Sequence, residues 1–163
     1  MKLKNKIYIF KNLPSGITEH PCIKYYGAKI IRGSPVCCEG RFFILVKISI
    51  NLSQRRLYFY NNERLINSYP VAIGKPSTPT PPGMWKIVNK ITHPGGILGT
   101  RWMGLNIPAD DGVYGIHGTT QPWSIGKAVS NGCIRMFNED IEEIFPLTPL
   151  GTKVHIFENN FNK

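Results

Sequence analysis

Phe42-Phe43-Ile44-Leu45-Val46-Lys47-Ile48-Ser49-Ile50 is the stretch whose reading decides the fold class. β-Branched and aromatic residues dominate it, and these fit a pleated, half-buried surface. Its alternation puts Ile44, Val46, Ile48 and Ile50 on one face, a period of two that belongs to a strand. Downstream, Leu57-Tyr58-Phe59-Tyr60 and Arg64-Leu65-Ile66 read as a hairpin around an Asn61-Asn62 turn. Tyr69 to Ile73 continues as a strand ending at Gly74. Further strands are expected at Trp85 to Val88, Trp102 to Ile107, Val113 to Ile116 and Val154 to Phe157. Between Lys75 and Gly83 stand Pro76, Pro79, Pro81 and Pro82, each without the N–H that a ladder needs, so a rigid surface loop is predicted.

A single segment reads as a helix. Asn138 serves as its cap, Glu139 and Asp140 suit its positive end, and Ile141, Ile144 and Phe145 form a buried stripe. Pro146 and Pro149-Leu150-Gly151 close it. The expected architecture is mainly β, a β-sandwich or partly closed barrel with one short helix after the Cys133 loop. His155, flanked by apolar residues in the last strand, reads as structural.

Length and composition fit one core. A chain of 163 residues with 42% hydrophobic and 18% charged residues is globular, not disordered. Residues 1–40 hold turn-formers among scattered apolar residues and read as a basic extension too short to be an independent domain; residues 41–163 read as the β domain. The longest apolar run near the N-terminus is Ile7-Tyr8-Ile9-Phe10, too short for the core of a signal peptide, and no run is long enough for a transmembrane helix. A monomer is expected.

The net charge of +10 favours polyanionic partners. No helix-turn-helix, RNP-like strand or zinc-finger spacing accompanies it, so nucleic acid is not the expected partner. An anionic cell wall satisfies the same charge. Cysteines stand at 22, 37, 38 and 133. Adjacent Cys37-Cys38 lacks zinc-ligand spacing, and a disulfide among Cys22, Cys37 and Cys38 would leave one thiol over, so free thiols and no metal or other cofactor are expected.

The chemistry points to Ser130-Asn131-Gly132-Cys133-Ile134-Arg135, with His117-Gly118-Thr119 sixteen residues upstream of the cysteine. A thiol is a strong nucleophile only as thiolate, and an imidazole beside it takes the proton, so Cys133 with His117 forms an acyl-transfer pair. Gly132 removes a side chain and lets the N–H groups of Gly132 and Cys133 turn toward an oxyanion. Arg135 is placed to bind a substrate carboxylate, or else to form a structural ion pair. Ser130 and Asn131 are expected to shape the loop and meet substrate, and Trp102, Tyr114 and Trp123 to line the cleft or join the core.

His117-Gly118-Thr119, a spacer with Ser124-Ile125-Gly126, and Ser130-Asn131-Gly132-Cys133-Ile134-Arg135-Met136 together resemble the signature of YkuD-type L,D-transpeptidases. The resemblance runs from about Phe42 to Glu158 and takes in Pro70-Val71-Ala72-Ile73-Gly74 and Thr80-Pro81-Pro82-Gly83. One departure is Asn131, where many members carry a second His; Asn hydrogen-bonds but does not carry a proton. The resemblance implies a β-sandwich and acyl transfer on peptidoglycan stem peptides outside the cytoplasm. Cys133 would attack the L-centred third residue of a tetrapeptide stem, expel D-alanine, and pass the acyl group to an amine of another stem as a 3→3 cross-link. It further implies that the Gly118 carbonyl orients His117 and that carbapenems acylate Cys133. The alternatives are an L,D-carboxypeptidase, a cysteine peptidase of the NlpC/P60 type (in which Cys precedes His), and a non-catalytic basic wall-binding module.

Overall fold

A computed structural model describes residues 45–109 and 113–159. The extension 1–40 with Cys22, Cys37 and Cys38, and the first residues of the Phe42–Ile50 run, lie outside them.

The strands are β1 (Val46–Asn51), β2 (Arg56–Asn61), β3 (Arg64–Pro70), β4 (Ile73–Gly74), β5 (Gly83–Thr92), β6 (Arg101–Leu105), β7 (Gly115–His117), β8 (Ala128–Ser130), β9 (Ile134–Arg135) and β10 (Lys153–Phe157), with helix α1 (Asn138–Ile144) between the last two. Eight of them form one sheet in the order β3-β2-β1-β10-β5-β6-β7-β9, and β4 pairs with β8. The β1–β10, β7–β9 and β4–β8 pairs are parallel, and the rest are antiparallel. The sheet curls into a half-barrel, the mainly β fold with one short helix that the strand patterning predicts.

The hollow of the sheet is filled by the inward residues of each strand. Ile48 and Ile50 of β1, Leu57 of β2, Ile87 of β5 and Val154 and Ile156 of β10 are buried there, and Ile141 and Ile144 seal it from the helix. Each such side chain contributes about 1.5–3 kcal/mol relative to an exposed one. Lys90 fixes the far end of α1, donating from Nζ to the Phe145 and Thr148 carbonyls at 2.6 and 2.7 Å, where a helix leaves acceptors unmet.

Three details depart from the sequence reading. The hairpin turns at Asn62-Glu63, both with positive φ (48° and 62°), while Asn61 stays in β2 opposite Arg64. Two left-handed residues match the right-handed twist of the flanking strands, and that places the turn one residue later. The expected strand from Tyr69 to Ile73 is broken: the chain leaves the main sheet after Pro70, and Ala72 bridges to Arg135. Asn138 does not cap α1, whose N-cap is Phe137 without a side-chain hydrogen bond.

Candidate active site

Parallel pairing of β7 with β9 puts Ile116 opposite Ile134 and His117 opposite Arg135, while β6 sets Trp102 opposite His117 and Met103 opposite Ile116. Residues paired across a sheet share a face, and successive residues alternate. Met103, Ile116 and Ile134 therefore point into the core, where all three are fully buried. Trp102, His117 and Arg135 lie on the opposite face, and Cys133 stands just before β9, two places ahead of Arg135. The same period that builds the core thus assembles the chemical residues from three strands.

His117 is 2% exposed. Its Nδ1 lies 2.5 Å from the Gly118 carbonyl, which only accepts, so Nδ1 carries the proton and Nε2 is left as the free base. Trp102 stacks on the ring at a centroid distance of 5.7 Å and donates from Nε1 to Asn89 Oδ1 at 2.8 Å. Burial is the largest influence on the imidazole and Arg135 adds to it; against the pull of the Gly118 and Leu98 carbonyls, the pKa falls to about 4. His117 is neutral at pH 7. Burial pushes the Cys133 thiol up, with the Gly115 backbone and Arg135 opposing, so the resting pair is neutral thiol and neutral imidazole.

The cysteine loop is held from both sides. Ser130 is 1% exposed, and its hydroxyl accepts from Gly132 N–H at 3.1 Å and donates to the Cys133 carbonyl at 2.6 Å. Ser130 is thus a buried brace of the loop. The Gly132 N–H expected at an oxyanion is already committed to that hydroxyl; the Cys133 N–H has no partner among the described residues. Gly132 has φ 110°, and the Tyr114 ring occupies the space a Cβ would need, so glycine is required twice over. Tyr114 packs on this glycine and the core edge. Cys133 Sγ is partly exposed and donates to the Val113 carbonyl at 3.5 Å, not to the imidazole. Asn131 is exposed at the loop tip.

Other expectations shift as well. Trp102, buried at 5%, backs the imidazole instead of lining a cleft. Arg135 forms no ion pair with a carboxylate among the described residues; its Nη1 donates to Gln121 Oε1 at 2.9 Å. A cleft of about 210 Å³ runs beside it, lined by Gln121, Trp123, Ser124, Lys127, Val129 and Arg135. Its charged residues are both cations, and Trp123 is 68% exposed at its rim.

Two features escaped the sequence reading. The Pro-rich loop does more than connect strands: Thr80 Oγ1 accepts from Gly74 N–H and donates to the Gly132 carbonyl, both at 2.9 Å, and Thr78 Oγ1 donates to the Ser130 carbonyl at 3.1 Å. Asn138 reaches the His117 loop, where its amide pairs with the N–H and carbonyl of Thr119. In sequence both are small polar residues beside prolines or a helix start, a setting that turn and cap chemistry explains equally well.

Residues 46–156 match the model of the YkuD family, described as the L,D-transpeptidase catalytic domain. A Bacillus licheniformis protein named "Putative L,D-transpeptidase YkuD" is 47% identical over 110 residues, covering 68% of this chain and 64% of that protein. The chain thus spans somewhat less than two thirds of the length of that relative. The NMR structure of the catalytic domain of an Enterococcus faecium L,D-transpeptidase superposes with a TM-score of 0.57 at 26% identity, over 69% of this chain and 96% of that one. An L,D-transpeptidase in complex with imipenem matches with a TM-score of 0.57 over 70% of this chain and 59% of its own, and its 18% identity speaks for the fold alone.

Proposed function

The chain belongs to the YkuD family of L,D-transpeptidase catalytic domains, and from that premise we propose that it is a peptidoglycan L,D-transpeptidase with Cys133 as nucleophile and His117 as base. The observation that carries the reading is the pairing of β7 with β9, which sets His117 opposite Arg135 two places after Cys133: an imidazole held at Nδ1 by the Gly118 carbonyl, a partly exposed thiol, and a guanidinium with no carboxylate partner among the described residues.

The donor is a tetrapeptide stem whose terminal carboxylate suits Arg135 and the carboxylate-free cleft beside it. Rotation about the Cys133 side chain turns Sγ from the Val113 carbonyl to the imidazole. His117 Nε2 takes the thiol proton as sulfur bonds to the carbonyl carbon of the third residue, and the developing oxyanion accepts from Cys133 N–H. The C–N bond to D-alanine then breaks, with its amine receiving the proton from the imidazolium. An amine of a second stem attacks the thioester, His117 takes its proton and returns it to the departing sulfur, and a 3→3 cross-link results; water as acceptor gives the carboxypeptidase product instead.

A substrate in the wall places the site at the extracytoplasmic surface, with residues 41–163 as the catalytic domain and 1–40 as its extension. Carbapenems, which present a strained acyl group and a carboxylate, would acylate the same thiol.

Mass spectrometry of the full chain with a disaccharide-tetrapeptide, with Cys133→Ala alongside, tests this reading. We expect a protein adduct, D-alanine and a cross-linked dimer, all lost in the variant. Equal turnover by the variant removes Cys133 from the mechanism.

A further inference from the structure

The imidazole of a cysteine acyltransferase needs a fixed partner on Nδ1, and here that partner is a main-chain carbonyl, a weaker acceptor than a carboxylate. What holds that carbonyl in place is therefore part of how the site works. The Gly118–Thr119 peptide offers its carbonyl to His117 Nδ1 and, because a trans peptide points its two polar groups in opposite directions, its N–H the other way. That N–H donates to Asn138 Oδ1 at 3.0 Å. Asn138 Nδ2 in turn donates to the Thr119 carbonyl at 3.1 Å, and Oδ1 accepts a second N–H, that of Thr100, at 3.3 Å. An acceptor demanded on one amide atom and a donor on the other fix which way the Asn138 amide faces.

The fit is close on every side. A Cβ at Gly118 or at Gly99 would collide with Asn138 Oδ1, so two glycines leave the niche that the amide fills. Asn138 is also a strong helix-capping residue at the start of α1, yet the helix begins without a side-chain cap. Its hydrogen bonds go to the catalytic loop instead.

We propose that Asn138 is the positioning residue for His117, acting through the Gly118–Thr119 peptide: Asn138 Oδ1 fixes and polarises the peptide whose carbonyl holds Nδ1–H, and so keeps Nε2 free and aimed at the substrate face. The arrangement does the work of a triad carboxylate with a side-chain amide and one peptide in series, since hydrogen bonds in a chain strengthen one another. It rests on the reading of His117 as the base. The charged group that bears on the ring is Arg135 from β9; Asn138 itself is neutral and leaves the net charge of the site unchanged.

The experiment follows the His117 ring nitrogens by NMR in the full chain, together with the rate at which the disaccharide-tetrapeptide acylates Cys133. Asn138→Ala is expected to turn a single Nδ1–H tautomer into a mixture and to slow acylation about ten- to a hundredfold. Asn138→Asp keeps the acceptor and adds charge to it, so the single tautomer stays and the His117 titration midpoint rises. A folded Asn138→Ala protein with wild-type tautomer and rate overturns the proposal. If that variant does not fold, Asn138→Asp decides, because an unmoved midpoint in it overturns the proposal as well. His117→Gln separates the two readings: wild-type acylation in that variant defeats His117 as base, whereas the His117 tautomer in Asn138→Ala still reports whether Asn138 controls the ring.

Discussion

The two faces of the β6–β7–β9 corner are buried to nearly the same depth by different means. Inward, Met103, Ile116 and Ile134 are sealed with Met136 by apolar packing, where apolar side chains of similar volume are tolerated. Outward, Trp102 and His117 are 5% and 2% exposed, with the Leu98 carbonyl bearing on the imidazole and the Trp102 ring against Gly115. There the side chains are held by directed partners: Trp102 by Asn89, His117 by Gly118, and Arg135 by Gln121. Dispersion tolerates substitution, whereas a buried polar group fails when a single partner is lost. The strand alternation thus divides the work, with stability on one face and chemistry on the other.

The largest effect should come from breaking the outer face. His117→Gln keeps a donor for the Gly118 carbonyl and most of the volume but removes the base, so acylation should fall about 10²–10⁴-fold with the fold intact. Next comes the inner face. Met103→Ala, directly behind Trp102, should cost about 2–5 kcal/mol in urea unfolding, while acylation per folded molecule stays within about threefold of wild type. If Met103→Ala slows acylation as much as His117→Gln does, the two faces are not separable and the comparison fails.

That division also explains what the sequence made legible. The inner face is written as period two, so the strands around Ile48, Ile87, Leu105 and Ile156 were readable from their neighbours alone. β8 and β9, three and two residues long, offer too few alternations to register, yet they flank Cys133. His117 and Cys133 were legible by residue type and spacing, because the chemistry needs a base and a nucleophile. The roles of Thr80 and Asn138 were not. Thr80 meets a carbonyl 52 residues away and Asn138 an N–H 19 residues away, and no local pattern encodes which distant carbonyl or N–H a hydroxyl or amide will meet.

The smallest effect is the one that tests the burial of the outer face most directly. An ordinary imidazole is half-charged near pH 6.5 and would lose twentyfold or more of its neutral form, roughly, between pH 7 and pH 5. His117 titrates near 4 because the loops exclude water from it, so about nine-tenths should still be neutral at pH 5. The Cys133 thiol, pushed up by its own burial, stays protonated throughout this window. Neither partner changes charge, and the acylation half-reaction should vary within about twofold from pH 7 to pH 5. The acceptor amine must be left out of that assay, since its own ionisation would mask the result. Stability moves with the same group: a folded pKa below the unfolded one makes the neutral form a stabilising contribution, lost as pH falls from about 6.5 toward 4. The discriminating observation is acylation that stays flat while the melting temperature declines. A rate that falls with an ordinary histidine midpoint would mean that water reaches the ring, and that the outer face is open where the inner one is sealed.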